Sequence, residues 1–315
     1  MKALITGITG QSGSYMADLL LEKDYEVHGL IRRVSTSNTA NIQHLEGKIT
    51  LHFGDLSDSD TLHKIVKEVM PDEVYNFGAM SQVRISYDLP LFTGDITGLG
   101  FARVLEAVRA IKPDTKVYQA GSSEMFGKVQ TIPQNELTPF YPRYPYGCAK
   151  AYAFYLGRAY REGYNMKIYN GICFNHESPR RGDEFLSKKV VKAVVKIKNG
   201  LQDELKLGNL EAKRDWGYAK EYVYWIWKMM QGDPDDFVIS TEQTHSVKEF
   251  VEEAFNYVGL NWEDYVVFDE TLQRPAEVDL LIGDSTKAKK LLEYKVKTTF
   301  KDLIKLMIDE EMSHV

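Results

Sequence analysis

The sequence predicts an α/β fold in which a doubly wound, mostly parallel sheet carries a smaller, interwoven C-terminal lobe. Short β-branched runs alternate with longer amphipathic stretches through the first half of the chain, and a glycine-rich turn follows the first of these runs. This switching between strand-like and helical periodicity is typical of consecutive βαβ units. Right-handed crossovers then place helices on both faces of the sheet.

The elements follow one another at the spacing that βαβ units require. The strands predicted in the first half are 3–6, 26–32, 49–54, 73–77, 116–120 and 166–172. The helices predicted between them are 14–23, 61–69, 97–110 and 146–162. The later elements are helix 185–199, helix 219–231, strand 237–240, helix 247–258, strand 265–268 and two last helices.

The regular alternation of predicted strands and helices ends near Asn175, and no stretch rich in Pro, Gly or Ser separates the two halves of the chain. We therefore expect a second lobe woven from insertions and packed closely on the sheet. We predict a sheet domain from residues 1–174 plus 218–258 and a smaller lobe from residues 175–217 plus 259–315.

Length, composition and charge exclude several classes of protein. The chain has 315 residues, 43% hydrophobic and 27% charged, which suits a globular protein with a sizeable core. A formal charge of -6 argues against nucleic-acid and anionic-membrane partners. Cys148 and Cys173 are the only cysteines, too few for a disulfide framework or a multi-thiolate metal site. No apolar run approaches the ~20 residues of a membrane span, so we expect a cytoplasmic protein without a metal.

A glycine turn follows the first predicted strand and opens the first helix. Glycines at the spacing GxxGxxG let the backbone turn tightly and approach a pyrophosphate at the helix N-terminus. The strand before and the helix after favour a dinucleotide-binding, Rossmann-type domain over a plain tight turn. We predict that the cofactor contacts Gly7, Thr9, Gly10, Gln11, Ser12 and Gly13.

The end of the second strand indicates which dinucleotide is bound. NAD sites usually carry Asp or Glu there for the ribose 2′-hydroxyl, whereas this chain has Arg32 and Arg33. Two cations suit a 2′-phosphate and favour NADP; a solvated basic strand end is the alternative. Further cofactor contacts are predicted after the third and fourth strands, at Asp55, Leu56, Gly78 and Ala79.

Four residues predict the catalytic site. Tyr146 and Lys150 are four residues apart and share one face of a helix. The Lys150 ammonium, helped by an oxidised nicotinamide, is expected to lower the pKa of the phenol from its usual value of about 10. Lys150 is also predicted to contact the cofactor. Ser122 and Glu124 follow the fifth strand, at the edge where open α/β sheets place their chemistry. The alternative for the Tyr–Lys pair is an exposed, solvated helix face.

The carboxylate distinguishes this site from that of a plain alcohol dehydrogenase. Ser122 can hydrogen-bond a substrate hydroxyl. Glu124 can remove a proton α to a new carbonyl and return it to a leaving hydroxyl. The combination predicts an internal redox elimination; for Glu124 the alternative is a helix-start carboxylate stabilised by the helix dipole.

At these residues the chain resembles the extended short-chain dehydrogenase/reductases and, within them, the GDP-mannose 4,6-dehydratases. The resemblance runs from the first strand to about Asp302. The wider superfamily shares the cofactor motifs. Three groups are far more specific, and they are Asn175-His176-Glu177-Ser178-Pro179-Arg180-Arg181-Gly182, Arg214-Asp215-Trp216-Gly217 and Arg274-Pro275-Ala276-Glu277-Val278-Asp279.

The resemblance implies conversion of GDP-mannose to GDP-4-keto-6-deoxymannose. The sheet domain would bind NADP and the smaller lobe the GDP-sugar. Tyr146 would take the O4 proton as hydride leaves C4, and Glu124 would remove the C5 proton and assist loss of the C6 hydroxyl before hydride returns to C6. Three alternatives stay open: a GDP-manno-heptose 4,6-dehydratase, another GDP-sugar-modifying enzyme, and an inactive, NADP-sensing interaction protein.

The resemblance also implies binding residues. His176 and Arg181 match family positions at the cofactor, and Ser81 lies where the fourth-strand serine approaches the sugar and the cofactor. The positions that match GDP-sugar contacts are Asn175, Lys189, Arg214, Arg274 and Glu277. Together with Ser81, Ser122, Glu124 and Tyr146, they are the predicted substrate-binding residues. For each arginine, an ordinary surface salt bridge is the alternative.

Several positions depart from the family pattern. Ser12 replaces an Asp, and Ser122 stands where the family has Thr, which keeps a hydroxyl. Phe92 stands where the family often has a Tyr at the cofactor, so one hydrogen bond is lost. Asn41 stands where the family has an Arg in a loop that helps to build a tetramer. We therefore predict either a homodimer or a homotetramer.

Overall fold

Each strand and helix for which the sequence predicts bounds lies close to an observed element, and the structure adds several short elements that were not predicted. The computed structural model describes residues 1–35, 38–272, 278 and 280–314. The strands are β1 (Lys2–Thr6), β2 (Glu26–Ile31), β3 (Thr50–Phe53), β4 (Glu73–Asn76), β5 (Lys116–Ala120), β6 (Ile168–Cys173), β7 (Asn175–Glu177), β8 (Leu205–Leu207), β9 (Lys213–Arg214), β10 (Trp216–Tyr218), β11 (Asp236–Ile239), β12 (His245–Ser246) and β13 (Val266–Phe268).

The helices alternate with the strands of the first half and dominate the last third of the chain. They are α1 (Gln11–Glu22), α2 (Ser59–Val69), α3 (Val83–Asp88), α4 (Pro90–Thr93), α5 (Gly100–Ile111), α6 (Pro145–Gly163), α7 (Leu186–Lys198), α8 (Ala219–Met229), α9 (Val247–Tyr257), α10 (Thr286–Leu292) and α11 (Phe300–Met312). A π-helical segment, Gly94–Leu99, precedes α5. Short 3-10 segments are Ala40–Leu45, Ser123–Met125, Trp262–Asp264 and Glu270–Leu272.

Seven strands form one sheet in the order β11-β6-β5-β4-β1-β2-β3. Every pairing in it is parallel, which confirms the predicted doubly wound α/β fold. The strand order reverses between β1 and β4, and open α/β sheets bind ligands beyond the carboxyl ends of the strands at such a point. Thr6 donates to Asn76 at 2.6 Å and Asn76 donates to Gln119 at 2.7 Å. These buried hydrogen bonds fix the register of β1, β4 and β5 next to that edge.

Helices bury both faces of the sheet because their apolar side chains recur at helical spacing. On one face α1 and α8 contribute buried residues such as Met16, Leu20 and Ile226. On the other face α2 and α5 contribute residues such as Val66 and Leu105. Each fully buried aliphatic side chain contributes roughly 1.5–3 kcal/mol to folding, so the two clusters hold the carboxyl edge of the sheet in place.

A second core lies beside the sheet and includes residues from both predicted parts of the chain. The helices α7, α9 and α11 pack on one another through residues such as Val194, Phe250 and Ile304. We predicted α9 in the sheet domain, yet its apolar face packs here. Conversely, α10 was predicted in the lobe, but Ala288 and Leu292 belong to the core under the sheet. The direction of each apolar face decides these contacts, and periodicity alone does not show which partner a face meets.

Within the described ranges, no helix combines the length and the apolar character that crossing a membrane requires.

Candidate active site

The glycine turn leaves a backbone cradle at the ends of β1 and β4. Gly7 has a φ of +68°, and a Cβ on it would lie 2.8 Å from the Gly78 nitrogen. A Cβ on Gly13 would lie 2.3 Å from the Gly7 carbonyl oxygen, so neither residue can carry a side chain unless the backbone moves. The helix α1 begins directly after Gly10, and its first N–H groups have no partner within the helix. The cradle therefore fits the pyrophosphate of a dinucleotide.

Other predicted cofactor positions lie along the same edge of the sheet. Arg32 and Arg33 follow β2 and are exposed, with the Arg33 guanidinium 5.6 Å from the centre of the Phe53 ring. Asp55 accepts hydrogen bonds from the Ser57 backbone and hydroxyl at 2.9 and 2.8 Å. The Phe92 side chain is exposed on α4.

Predicted catalytic and binding residues face one cavity of about 200 Å³. Those that line it are Ser81, Ser122, Glu124, Tyr146, Asn175, His176 and Arg181. Lys150 lies beside Tyr146, with its Nζ 5.8 Å from the centre of the phenol ring. Its ammonium donates a hydrogen bond of 2.7 Å to the Ala120 carbonyl. The phenol and the carboxylate, 22 positions apart in the sequence, thus share the space that a sugar ring would need.

Two turns bring the carboxylate and the phenol together. After β5, the Ser122 hydroxyl accepts a hydrogen bond of 3.2 Å from the Glu124 backbone and caps the 3-10 turn Ser123–Met125. The helix α6 begins at Pro145, a residue well suited to a first helical position. A Cβ on Gly147 would lie 2.8 Å from the Glu124 carbonyl oxygen. The glycine therefore allows α6 to approach the Glu124 turn closely.

The expected lowering of the phenol pKa is not present in the protein itself. Burial raises the pKa of Tyr146 to about 12, while a hydrogen bond from Ser122 and the charge of Arg181 oppose the rise. Burial also lowers the pKa of Lys150 to about 8. The i,i+4 spacing correctly predicted that Tyr146 and Lys150 share a helix face. It does not show how far each side chain is buried, and burial disfavours the charged form of both groups.

His176 joins the segment after β6 to the glycine turn. Its Nδ1 donates to the Phe174 carbonyl at 2.9 Å, so its Nε2 accepts from the Ser12 hydroxyl at 3.0 Å. Burial lowers the pKa of His176 to about 4, which keeps the ring neutral near pH 7. The Gln11 amide donates to the His176 carbonyl at 2.9 Å. Gln11 and Ser12, predicted to contact the cofactor, therefore also tie the cradle to the cavity wall.

Arg181 and Asn175 provide polar groups for a ligand in the cavity. The Arg181 Nε lies 3.0 Å from a Glu177 carboxylate oxygen, and its guanidinium stacks 3.6 Å from the centre of the Phe185 ring. Among the described residues, the buried Asn175 Oδ1 has no hydrogen-bond partner. Because buried acceptors are normally satisfied, this oxygen points to a donor on a bound molecule.

Lys189 and Arg214 do not line the cavity. Lys189 donates to the Lys206 carbonyl at 2.7 Å. Arg214 is buried and donates to the carbonyls of Val278 and Lys213 at 2.6 and 2.9 Å. Backbone carbonyls compete for both cations, and the sequence does not reveal these partners. The remaining predicted sugar contacts, Arg274 and Glu277, lie outside the described residues.

Some residues in and around the site were not assigned from the sequence. Gln82 and Arg84 line the cavity immediately after Ser81, and Glu184 and Phe185 line it after the polar segment. The Tyr144 hydroxyl donates a hydrogen bond to Glu124 Oε2. Their nearness to recognised motifs was the only available signal. In the part of the chain that the structure describes, no three His, Cys, Asp or Glu side chains are placed to hold a metal ion.

Comparisons with known proteins match nearly the whole chain. A family model described as GDP-mannose 4,6 dehydratase matches residues 4–307. GDP-mannose 4,6 dehydratase 1 of Arabidopsis thaliana is 50% identical and covers 98% of this chain and 89% of its own length. GDP-mannose 4,6 dehydratase of Homo sapiens is 49% identical, with coverages of 98% and 91%.

Solved structures show the same fold at low identity. UDP-glucose 4-epimerase of Thermus thermophilus, in complex with NAD, superposes with a TM-score of 0.89 at 21% identity and full coverage of both chains. RMD of Pseudomonas aeruginosa, complexed with NADPH, gives a TM-score of 0.84 at 20% identity over 100% of this chain and 99% of its own. The dTDP-glucose 4,6-dehydratase of Bacillus anthracis, in complex with NAD, gives 0.85 at 22% identity, with coverages of 98% and 96%.

Proposed function

The chain belongs to the GDP-mannose 4,6-dehydratase family, and we propose that it catalyses this reaction through Ser122, Glu124, Tyr146 and Lys150. The activity is a nicotinamide-dependent removal of water from GDP-mannose that yields GDP-4-keto-6-deoxymannose. The observation that carries the residue assignment is the shared cavity, in which Glu124 and Tyr146 face the same space. An inactive interaction protein would have no need of a carboxylate and a phenol in this arrangement.

A dinucleotide held at the cradle of Gly7 and Gly13 would supply the redox chemistry, which is removal of hydride from C4 of the sugar and its return at C6. The side chains move the protons. Tyr146 accepts the O4 proton, and Ser122 orients that hydroxyl. The charge of an oxidised nicotinamide, added to that of the Lys150 cation, would favour the phenolate against the effect of burial. The C4 carbonyl acidifies the C5 proton, which Glu124 takes and delivers to the C6 hydroxyl as it leaves as water. C5 then gains one proton, which balances the proton that Tyr146 removed from O4. Because the hydride taken from C4 would return to C6, no external reductant is consumed.

The activity is tested most directly by the mass of the product. Purified protein incubated with GDP-mannose and without added reductant should yield a sugar nucleotide lighter by one water. A parallel incubation with GDP-manno-heptose tests the second candidate substrate, since the described cavity wall does not distinguish the two sugars. An unchanged mass of GDP-mannose, with dinucleotide bound to the protein, would contradict the proposal.

We propose NADP as the dinucleotide because Arg32 and Arg33 follow β2 and are exposed. Arg32→Ala should weaken binding of NADP by roughly tenfold to a hundredfold, the usual value of a hydrogen bond to a charged group, and affect NAD much less. Titration calorimetry with both dinucleotides measures the difference. Arg109→Ala is the matched control, because Arg109 is paired with Glu106 on α5. Equal losses for NADP and NAD would refute the 2′-phosphate assignment.

We propose a homodimer rather than a homotetramer. Large apolar side chains are exposed on α4, the π-helical segment and α6, and these three segments contact one another. The side chains are Leu91, Leu99, Tyr152 and Tyr155. Exposed apolar patches of this kind suit a second copy of the chain. The Asn41 amide donates to the Thr9 and Arg180 carbonyls of its own subunit at 3.1 and 3.3 Å, which favours an internal role for this loop. A cytoplasmic location stays a prediction from the sequence.

A further inference from the structure

The carboxylate in the cavity has a partner behind the cavity wall. The Tyr144 hydroxyl donates a hydrogen bond to Glu124 Oε2. Tyr144 is 2% exposed and Glu124 is 6% exposed, so water competes little for this bond. Tyr144 does not line the cavity, whereas Glu124 does. The Glu124 carboxylate therefore contacts the protein core through Tyr144 and also borders the space that the substrate would fill.

Packing holds the Tyr144 ring in a single place. Its backbone is extended, with φ −149° and ψ 162°, immediately before α6. Its carbonyl accepts a hydrogen bond of 3.0 Å from the Cys148 backbone. The ring belongs to a buried cluster with Phe126 and Phe154 and meets the Tyr87 ring edge-on at 6.1 Å. A hydroxyl on so constrained a ring can direct the group to which it donates.

We propose that Tyr144 is a positioning residue for Glu124 in the elimination step. Its hydrogen bond occupies one carboxylate oxygen and fixes the plane of the group, and it stabilises the ionised form in a buried site. Because Tyr144 precedes Tyr146 by two residues, one short segment places both proton-transfer groups. This inference rests on the proposed function, since it gives Tyr144 a role only if Glu124 moves a proton.

The test is Tyr144→Phe, which removes the hydroxyl and keeps the ring. We expect kcat for water loss from GDP-mannose to fall about tenfold to a hundredfold, the scale of a displaced reacting group, with KM within about twofold of the parent. The acidic limb of the kcat profile should move to higher pH, because the carboxylate loses a donor. The other titratable groups lining the same cavity are Tyr146, Cys173, His176, Arg181, Arg84 and Glu184, and this substitution leaves them in place.

Tyr87→Phe is the matched control. The Tyr87 ring packs on Tyr144, and the Tyr87 hydroxyl donates to the Arg143 carbonyl at 3.4 Å. Removing that hydroxyl should leave both kcat and the acidic limb unchanged. A fluorinated tyrosine at position 144 provides a second variant that keeps shape and hydroxyl. Its stronger donor should move the acidic limb to lower pH, so the test stands even if Tyr144→Phe does not fold.

The outcomes separate the two proposals. If the parent protein does not remove water from GDP-mannose, the proposed function fails. If the parent does so and the Tyr144 variants keep its kcat and its acidic limb, the positioning role is wrong. A rise in KM with a fall in kcat and a lower unfolding temperature, without any movement of the limb, would assign Tyr144 a structural role only and would also overturn the proposal.

Discussion

Glu124→Gln should abolish the elimination while the protein still binds GDP-mannose. We expect kcat for water loss to fall by roughly 10³-fold, within the usual contribution of a positioned general base. The amide keeps the shape of the side chain but cannot take the C5 proton. Mass spectrometry of the product measures the loss, and titration calorimetry should show nucleotide affinity within about twofold of the parent.

Glu162→Gln is the matched control for this variant. Glu162 lies on α6, the helix that carries Tyr146, and its side chain is exposed, so the same change of charge should leave turnover unaffected. Turnover of Glu124→Gln at the parent rate would show that another group removes the proton. A large loss of GDP-mannose affinity would instead indicate that Glu124 binds the sugar.

Tyr146→Phe should stop the reaction one step earlier. The phenol is buried in the cavity wall, and without it the O4 proton has no acceptor, so oxidation at C4 and loss of water should both fall by roughly 10³-fold. The ring is retained, which keeps its packing. Rapid mixing with GDP-mannose, followed by the absorbance of the reduced nicotinamide, measures C4 oxidation separately from the final product.

The two variants therefore differ in a measurable way. Glu124→Gln should still oxidise C4, whereas Tyr146→Phe should not. Tyr164→Phe is the matched control, because Tyr164 directly follows the last residue of the same helix and is exposed. If Tyr146→Phe oxidised C4 at the parent rate, the assignment of the proton acceptor would be wrong.

Local patterns were sufficient for much of the fold and of the site. The glycine turn, the i,i+4 spacing of Tyr146 and Lys150, and the position of Glu124 after β5 each depend on short stretches of chain. In such stretches the backbone geometry determines which side chains share a face and which lie at the end of a strand. The predicted elements consequently lie within a few residues of the observed ones.

Contacts between distant segments were not predictable in the same way. The sequence does not show that Lys189 and Arg214 donate to backbone carbonyls, nor that α9 packs in the second core while α10 packs under the sheet. The Tyr144 hydroxyl meets Glu124 because two buried turns converge. Its direction depends on the packing of both turns, which no spacing rule encodes.

The sequence by itself determined the parallel sheet, the dinucleotide cradle and the kinds of side chain available for proton transfer. These follow from periodicity and from the conformations that glycine and proline allow. Only the tertiary structure decided which of those side chains share a cavity and that burial raises the pKa of Tyr146 to about 12. Both depend on how much water is excluded around each group, and that is a property of packing across the whole molecule.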